Sequence, residues 1–351
     1  MESATTELVL PGLAELPEFT EMKPGHWLEQ GPRKRLMVFA GRSHPELAKR
    51  IAEHLGVELG EIELETFANG ETYCRYGESV RGADLFLVQT GCKPVDAHLM
   101  ELLLMIQAAK LASAKRITAV IPWFPYSRQD RKAKPREPIS GRLVADMLQL
   151  AGADRVLTMD LHAGQIQGFF DIPVDHMTAL PLFARHFRDL GLTGDGVVSV
   201  APDAGRAKVA VRFGEMIDSG FAIMHKTRPA RDQVSVTEIT GRVRDKVALV
   251  GDDIITTGGT LLAGAEALRE HGATDVWVFA THGLFSGKSL EHFAQADLAG
   301  IVVTDTVPID PVNRPPSMTV LPVSVLLAET IMNVFGDDSV SAIFGGENQL
   351  F

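Results

Sequence analysis

Cysteine is scarce in this sequence. Cys74 and Cys92 are the only two in 351 residues, and their spacing matches no metal-ligand pattern. That argues against a disulfide framework and for a reducing compartment. No apolar run is long enough to span a bilayer. The opening "MESATTELVLPGLAELPEF" has no basic leader and no long apolar core, so it does not read as a signal peptide. Cations are also in deficit, with 34 Lys and Arg against 45 Asp and Glu and a formal net charge of -11. General binding to nucleic acid or to an anionic membrane is disfavoured, and only a local basic patch is left open. The expectation is a soluble cytoplasmic protein whose partners are neither nucleic acid nor membrane.

Apolar residues make up 45% of the chain, a globular composition, and the length allows two ordinary domains. Residues 1–33 are proline-punctuated and weakly periodic, and are expected to lie outside the fold. From Arg35 onward strand and helix patterns alternate. "RLMVFA", "DLFLVQT", "RITAVIPWF" and "RVLTMDL" read as strands. "PELAKRIAEHLG", "VDAHLMELLLMIQAAKLASA" and "ISGRLVADMLQLAG" read as helices between them. The second half repeats the rhythm with "GVVSVAPD", "GFAIMHK", "KVALVGDD", "DVWVFATHG" and "GIVVTDT". Such alternation predicts α/β layers around mainly parallel sheets. "LLMIQAAKLASAKRITAVIPWF" faintly echoes "LAGAEALREHGATDVWVFATHG". Two related halves explain that echo, and so does the common look of βαβ units. The expected division is 34–177, 178–325 and a final helix and tail, 326–351, that could return to either half.

The stretch richest in chemistry is "VALVGDDIITTGGT", residues 247–260. Open parallel sheets bind ligands beyond the carboxyl ends of their strands. "VALVG" reads as a buried strand, which places Asp252 and Asp253 at such an end. The turn that follows combines glycines, which admit a phosphate, with threonine hydroxyls and helix-start N–H groups that donate to it. Carboxylates beside a phosphate loop suit a sugar phosphate, whose hydroxyls or hydrated Mg²⁺ they would take.

Four further stretches bear on the choice of chemistry. "FPYSRQDRKAKPREPIS" (124–140) concentrates Arg128, Arg131, Lys132, Lys134 and Arg136 in an acidic protein, as a polyphosphate site would. "TMDLHAGQIQGFFDIPVD" places His162 after a strand end, near Asp160 and Gln165. It suits a metal or phosphate site, although Mg²⁺ prefers oxygen ligands. "FANGETYCRYGESVRG" offers Phe67 for stacking on a base and Asn69 and Glu71 for its polar edge, but such residues also make turns. "APDAGRAKVA" ends a strand on Asp203.

Together with "THGLFSG", these stretches closely resemble class I ribose-phosphate diphosphokinases, in the same order, over about residues 36–344. The resemblance implies two related phosphoribosyltransferase-type domains and transfer of the β,γ-diphosphoryl group of Mg²⁺-ATP to ribose 5-phosphate. It implies that Phe67, Asn69 and Glu71 hold adenine and that Arg128 and Gln129 contact ATP. His162 and Asp203 would contact the Mg²⁺-ATP complex. Asp252 and Asp253 would take ribose hydroxyls, while Thr256, Thr257, Gly258, Gly259 and Thr260 cradle the 5-phosphate. Lys226 and Arg228 in "MHKTRP" match the family's mobile catalytic loop, which fits a polar stretch between two strands. Ser79, Arg81, Arg136, Ser339, Ser341 and Phe344 match a site where inorganic phosphate activates and ADP inhibits, between subunits of a homo-hexamer.

Three positions depart from the family. Thr256 replaces the loop's leading aspartate, Ala133 replaces an acid in the ATP loop, and Gly251 replaces the usual valine, which should weaken the strand end. Two other readings stay open: a catalytically silent regulatory relative, and a phosphoribosyltransferase that ignores ATP. Neither an insertion in the flexible loop nor a missing Lys226, Arg228, His162 or Asp203 speaks for the silent relative.

Overall fold

The computed structural model describes residues 34–230 and 233–340, without the side chains of 226–237. Residues 1–33, Ser341 and Phe344 lie outside the described residues. The first half begins with strand β1 (Leu36–Ala40) and helix α1 (Pro45–Leu55). Pro45 opens α1, where its missing N–H costs nothing, and Gly56 closes it at φ 68°. A hairpin follows, β2 (Ile62–Thr66) and β3 (Thr72–Tyr76), which the sequence patterns did not announce. The half then alternates: β4 (Asp84–Val88), α2 (Val95–Leu111), β5 (Arg116–Ile121), α3 (Ser140–Ala151), β6 (Arg155–Met159), β7 (Val174–Met177). Its five-stranded sheet has the order β1-β4-β5-β6-β7 with every pair parallel. β4 is buried along its whole length, as a parallel strand covered on both faces must be.

The second half runs α4 (Leu180–Asp189), β8 (Val197–Ala201), α5 (Ala207–Met216), β9 (Gly220–Ala230) and β10 (Gln233–Thr240). It continues with β11 (Val247–Ile255), α6 (Gly259–Glu270), β12 (Asp275–Gly283), α7 (Ser289–Gln295), β13 (Gly300–Thr304), β14 (Met318–Leu321) and α8 (Ser324–Gly336). The seven-stranded sheet has the order β10-β9-β8-β11-β12-β13-β14, parallel except for β9 with β10. From β8 the chain winds toward β10, and from β11 toward β14. The switch point between β8 and β11 is where an open sheet of this kind makes its ligand crevice.

The described residues from Leu36 to Val340 form one unit. A continuous core joins Leu47 and Ile51 of α1 with Phe183 and Phe187 of α4, Phe279 of β12, and Leu327 and Ile331 of α8. Helix α8 lies against α1, and Arg116 of β5 holds Asp337 at its end with a 2.6 Å hydrogen bond.

Three expectations are corrected here. The stretch after "GFAIM" is not a loop: β9 extends to Ala230 and pairs antiparallel with β10, with Lys226 opposite Val236. β11 does not stop before the twin acids but runs through both to Ile255. Nor does Gly251 weaken that strand. It pairs with Phe279, and a Cβ at 251 would collide with the Phe279 ring. The ring covers the bare glycine and keeps the strand intact.

Candidate active site

A cavity of about 880 Å³ opens at the switch point. Its walls come from both halves. Arg128, Asp130 and Arg131 follow β5, and His162 and Gln165 follow β6. Asp203 and Arg206 follow β8. Asp252 and Asp253 lie in β11, Thr256, Thr257 and Gly258 lead into α6, and Thr260 is in its first turn. The volume falls in the range of small-molecule sites.

The loop into α6 has the geometry an oxyanion requires. Gly258 sits at φ 78°, a value that favours glycine, and α6 begins at Gly259. The first N–H groups of a helix have no partner within it, so they are free to meet an anion. A second turn faces it: Ala204–Arg206 precedes α5, and Asp203 caps that turn by accepting from the Gly205 N–H at 3.0 Å.

Two adjacent carboxylates repel, and a buried cation compensates them. The Arg206 guanidinium contacts Asp253 and lies 3.3 Å from Asp252. From the first half, His162 Nδ1 lies 2.7 Å from Asp253 Oδ2. Asp253 is thus enclosed by its partners, with 1% of its side chain exposed, while Asp252 keeps 21%. The two acids titrate in opposite directions. Burial, then the Asp253 charge, pushes Asp252 up to about 7. Burial also opposes ionisation of Asp253, but the His162 hydrogen bond and the Arg206 charge outweigh it and hold it well below the usual carboxylate range. The same hydrogen bond raises His162, against burial and the nearby arginines. The outcome is one fixed anion, one adjustable acid open to the cavity, and a histidine biased toward its cationic form.

Arg206 was missed in the sequence, although it stands in the quoted "APDAGRAKVA". Nothing local to it signals a role, because its partners lie on another strand. Of the predicted residues, Arg128, His162, Asp203, Asp252, Asp253, Thr256, Thr257, Gly258 and Thr260 meet in this cavity. Gly259 lies behind the loop as the first residue of α6. Gln129 lines a neighbouring cavity of about 480 Å³ that shares Arg128, and it accepts from Ser140 Oγ at 2.7 Å. Thr256, in place of the family's aspartate, receives Arg128 Nη1 at 3.5 Å. At the second departure, the Ala133 N–H donates to Glu137 at 2.9 Å.

Phe67, Asn69 and Glu71 do not line the cavity. They form the tip of the β2–β3 hairpin, where Phe67 is 50% exposed and Asn69 Oδ1 accepts from the Glu71 N–H at 3.2 Å. Lys226 and Arg228 lie in β9, and their side chains are outside the described residues. Ser79 and Arg81 line a separate cavity of about 380 Å³, and Arg81 donates to Ser113 at 3.2 Å. Neither Arg136, at φ 70°, nor Ser339 lines that cavity.

The sequence and the fold agree with relatives. Residues 36–152 match the family described as the N-terminal domain of ribose phosphate pyrophosphokinase, and residues 223–345 match the phosphoribosyl synthetase-associated domain. A ribose-phosphate pyrophosphokinase from Caldanaerobacter subterraneus is 48% identical over 309 residues, covering 88% of this chain and 98% of the relative. Ribose-phosphate pyrophosphokinase 2 of Schizosaccharomyces pombe is 45% identical, covering 88% of this chain and 97% of its own length. The crystal structure of phosphoribosylpyrophosphate synthetase from Mycobacterium smegmatis superposes with a TM-score of 0.80 at 45% identity, over 87% of this chain and 100% of that one. The chain belongs to the ribose-phosphate pyrophosphokinase family.

Proposed function

We propose that this protein is a ribose-phosphate diphosphokinase. It moves the β,γ-diphosphoryl group of ATP to the 1-hydroxyl of ribose 5-phosphate, giving 5-phosphoribosyl 1-diphosphate and AMP. The sugar 1-hydroxyl loses its proton to solvent as its oxygen bonds to the β-phosphorus, the bond from that phosphorus to the α,β-bridging oxygen breaks, and AMP leaves. The carrying observation is the division of charge in one cavity. Cations and helix-start N–H groups line it on two sides, and the Asp252 carboxyl faces it from β11.

In this reading the loop Thr256–Thr260 takes the 5-phosphate and Asp252 takes ribose hydroxyls. Asp253 acts by holding His162 and Arg206, since almost none of it is exposed. Arg128 and His162 face the ATP phosphates, with Gln129 beside them. Positioning and positive charge carry most of a phosphoryl transfer, so a ring of fixed cations is the machinery it needs. Lys226 and Arg228 are assigned the same task on the β9–β10 ribbon.

Mg²⁺ is the metal this chemistry implies. Among the described residues no cluster of three His, Cys, Asp or Glu side chains forms a metal cage. A cation held chiefly by substrate phosphates and water fits such a site, with the Asp203 carboxylate at the cavity wall as its protein contact. His162, held by Asp253 through Nδ1 at 2.7 Å, is assigned as a second contact to the Mg²⁺-ATP complex. When bound, Mg²⁺ would neutralise charge on the transferred group.

The hairpin tip does not line the cavity of its own chain, and it suits a second copy as its target. We assign Phe67, Asn69 and Glu71 to a neighbouring subunit's adenine site. A homo-oligomer, a hexamer on the family's pattern, would then be required for activity. Phosphate activation through Ser79, Arg81, Arg136, Ser339, Ser341 and Phe344, a cytoplasmic location, and the division at 34–177, 178–325 and 326–351 belong to the same proposal. No helix among the described residues is long and apolar enough to cross a membrane.

The test is AMP formation from ATP, Mg²⁺ and ribose 5-phosphate, with and without inorganic phosphate. AMP should appear only with the sugar phosphate and fall by about 10²- to 10³-fold in Lys226→Ala. Wild-type protein that forms no AMP under any of these conditions overturns the assignment.

A further inference from the structure

We propose that Thr281 and His282, in the "THGLFSG" stretch ending β12, are positioning residues that hold His162 against Asp253 between the two sheets. The inference deepens the function proposed above and rests on it only for its kinetic readout.

Strand register sets one side of the arrangement. β12 pairs with β11 so that Asp252 faces Ala280 and Ile254 faces His282. Thr281 therefore stands level with Asp253. The same two residues grip the chain that delivers His162. Thr281 Oγ1 donates to Asp160 Oδ2 at 2.6 Å. His282 Nε2 lies 3.1 Å from the Met159 carbonyl oxygen and 3.2 Å from that of Asp160. Carbonyls only accept, so Nε2 carries the proton, and Nδ1 accepts from Thr306 Oγ1 at 2.9 Å. These bonds fix the end of β6 and the residue after it, two positions before His162.

That turn needs holding. Asp160 has φ 33°, a conformation that a non-glycine residue adopts only when its surroundings impose it. Its carboxylate also accepts from the Ala179 N–H at 2.8 Å, and His176 Nε2 accepts from the Leu161 N–H at 2.8 Å. His282 is 0% exposed and Thr281 4%, so a lost bond leaves a polar group stranded without water. Neither residue lines the 880 Å³ cavity. Their side-chain hydrogen bonds act on the substrate site through the turn that carries His162. One strand thus sets both members of the His162–Asp253 pair, one by backbone pairing and the other by side-chain bonds.

The test is the crystal structure and kinetics of Thr281→Val, which keeps the branched shape and removes the hydroxyl. The 2.7 Å His162–Asp253 contact should open beyond hydrogen-bond reach. kcat should fall about ten- to hundredfold while KM for ribose 5-phosphate holds, the signature of misplaced chemistry with intact sugar binding. Thr281→Ser should restore both. His282→Met, which removes the donor, should repeat the loss, and His282→Gln, which returns an N–H near Nε2, should recover most of it. If Thr281→Val does not fold, the His282 pair carries the test. A closed His162–Asp253 pair in the folded Thr281→Val or His282→Met protein overturns the proposal. If the wild type forms no AMP, the enzymatic reading fails, and the crystal structures still decide the positioning role.

Discussion

Asp252→Asn should make this protein more stable while impairing its site. Burial and the neighbouring Asp253 charge raise the Asp252 carboxyl from 3.8 to about 7. A carboxyl raised in the folded state holds its proton longer there than in the unfolded chain. Folding stability therefore declines as pH rises from the unfolded value toward the folded one, and the full penalty stands above about pH 7. A shift of roughly three units corresponds to about 4 kcal/mol at 1.36 kcal/mol per unit. Asparagine removes the charge, and its side-chain oxygen still accepts the Asp253 N–H that Asp252 now takes at 2.9 Å. The variant should be more stable by up to about 4 kcal/mol at pH 8, less at pH 5 and almost unchanged near pH 4. The measurement is denaturant unfolding of both proteins across that range, with AMP formation assayed beside it. Equal stability at pH 8, or a gain that does not grow with pH, refutes the electrostatic account. Full activity in the stabilised variant refutes the ribose assignment of Asp252.

Arg206→Leu should destabilise by about 3 kcal/mol or more at pH 7, because it leaves the enclosed Asp253 anion without its guanidinium; urea unfolding measures it. The hydrogen bond to Asp253 raises His162 above 6.5, so any part of kcat that needs the imidazolium is present below the raised value and lost as pH climbs through it. His162→Gln should abolish that alkaline limb in a kcat–pH profile. Gly251→Val should cost about 1–3 kcal/mol through overlap with Phe279, and Phe279→Leu in the same chain should recover much of the loss in a double-mutant cycle.

The phosphate loop was legible in the sequence because its parts are contiguous. An apolar strand, two acids, threonines and glycines follow within "VALVGDDIITTGGT", and each constrains the next. The alternation of strands and helices was legible for the same reason, since a buried run such as Asp84–Val88 carries its own signal. The hairpin β2–β3 was not, because its first strand exposes three of five residues and alternates weakly. Arg206 was invisible because its role exists only where β8 and β11 lie side by side, and the acids it compensates are more than forty positions away in the chain. The His162–Asp253 pair spans 91 positions and two sheets. Gly251 misled in the other direction. A glycine near a strand end reads as weakness, and only the register that sets it opposite Phe279 explains it.

The fate of the terminal phosphate of ATP tests the central claim most directly. ATP labelled at its γ-phosphate would be incubated with the protein, Mg²⁺ and ribose 5-phosphate, and the products separated. Intact diphosphoryl transfer predicts one labelled sugar diphosphate for each unlabelled AMP, with no label in inorganic phosphate. Label appearing in inorganic phosphate, or ADP forming in place of AMP, would contradict it.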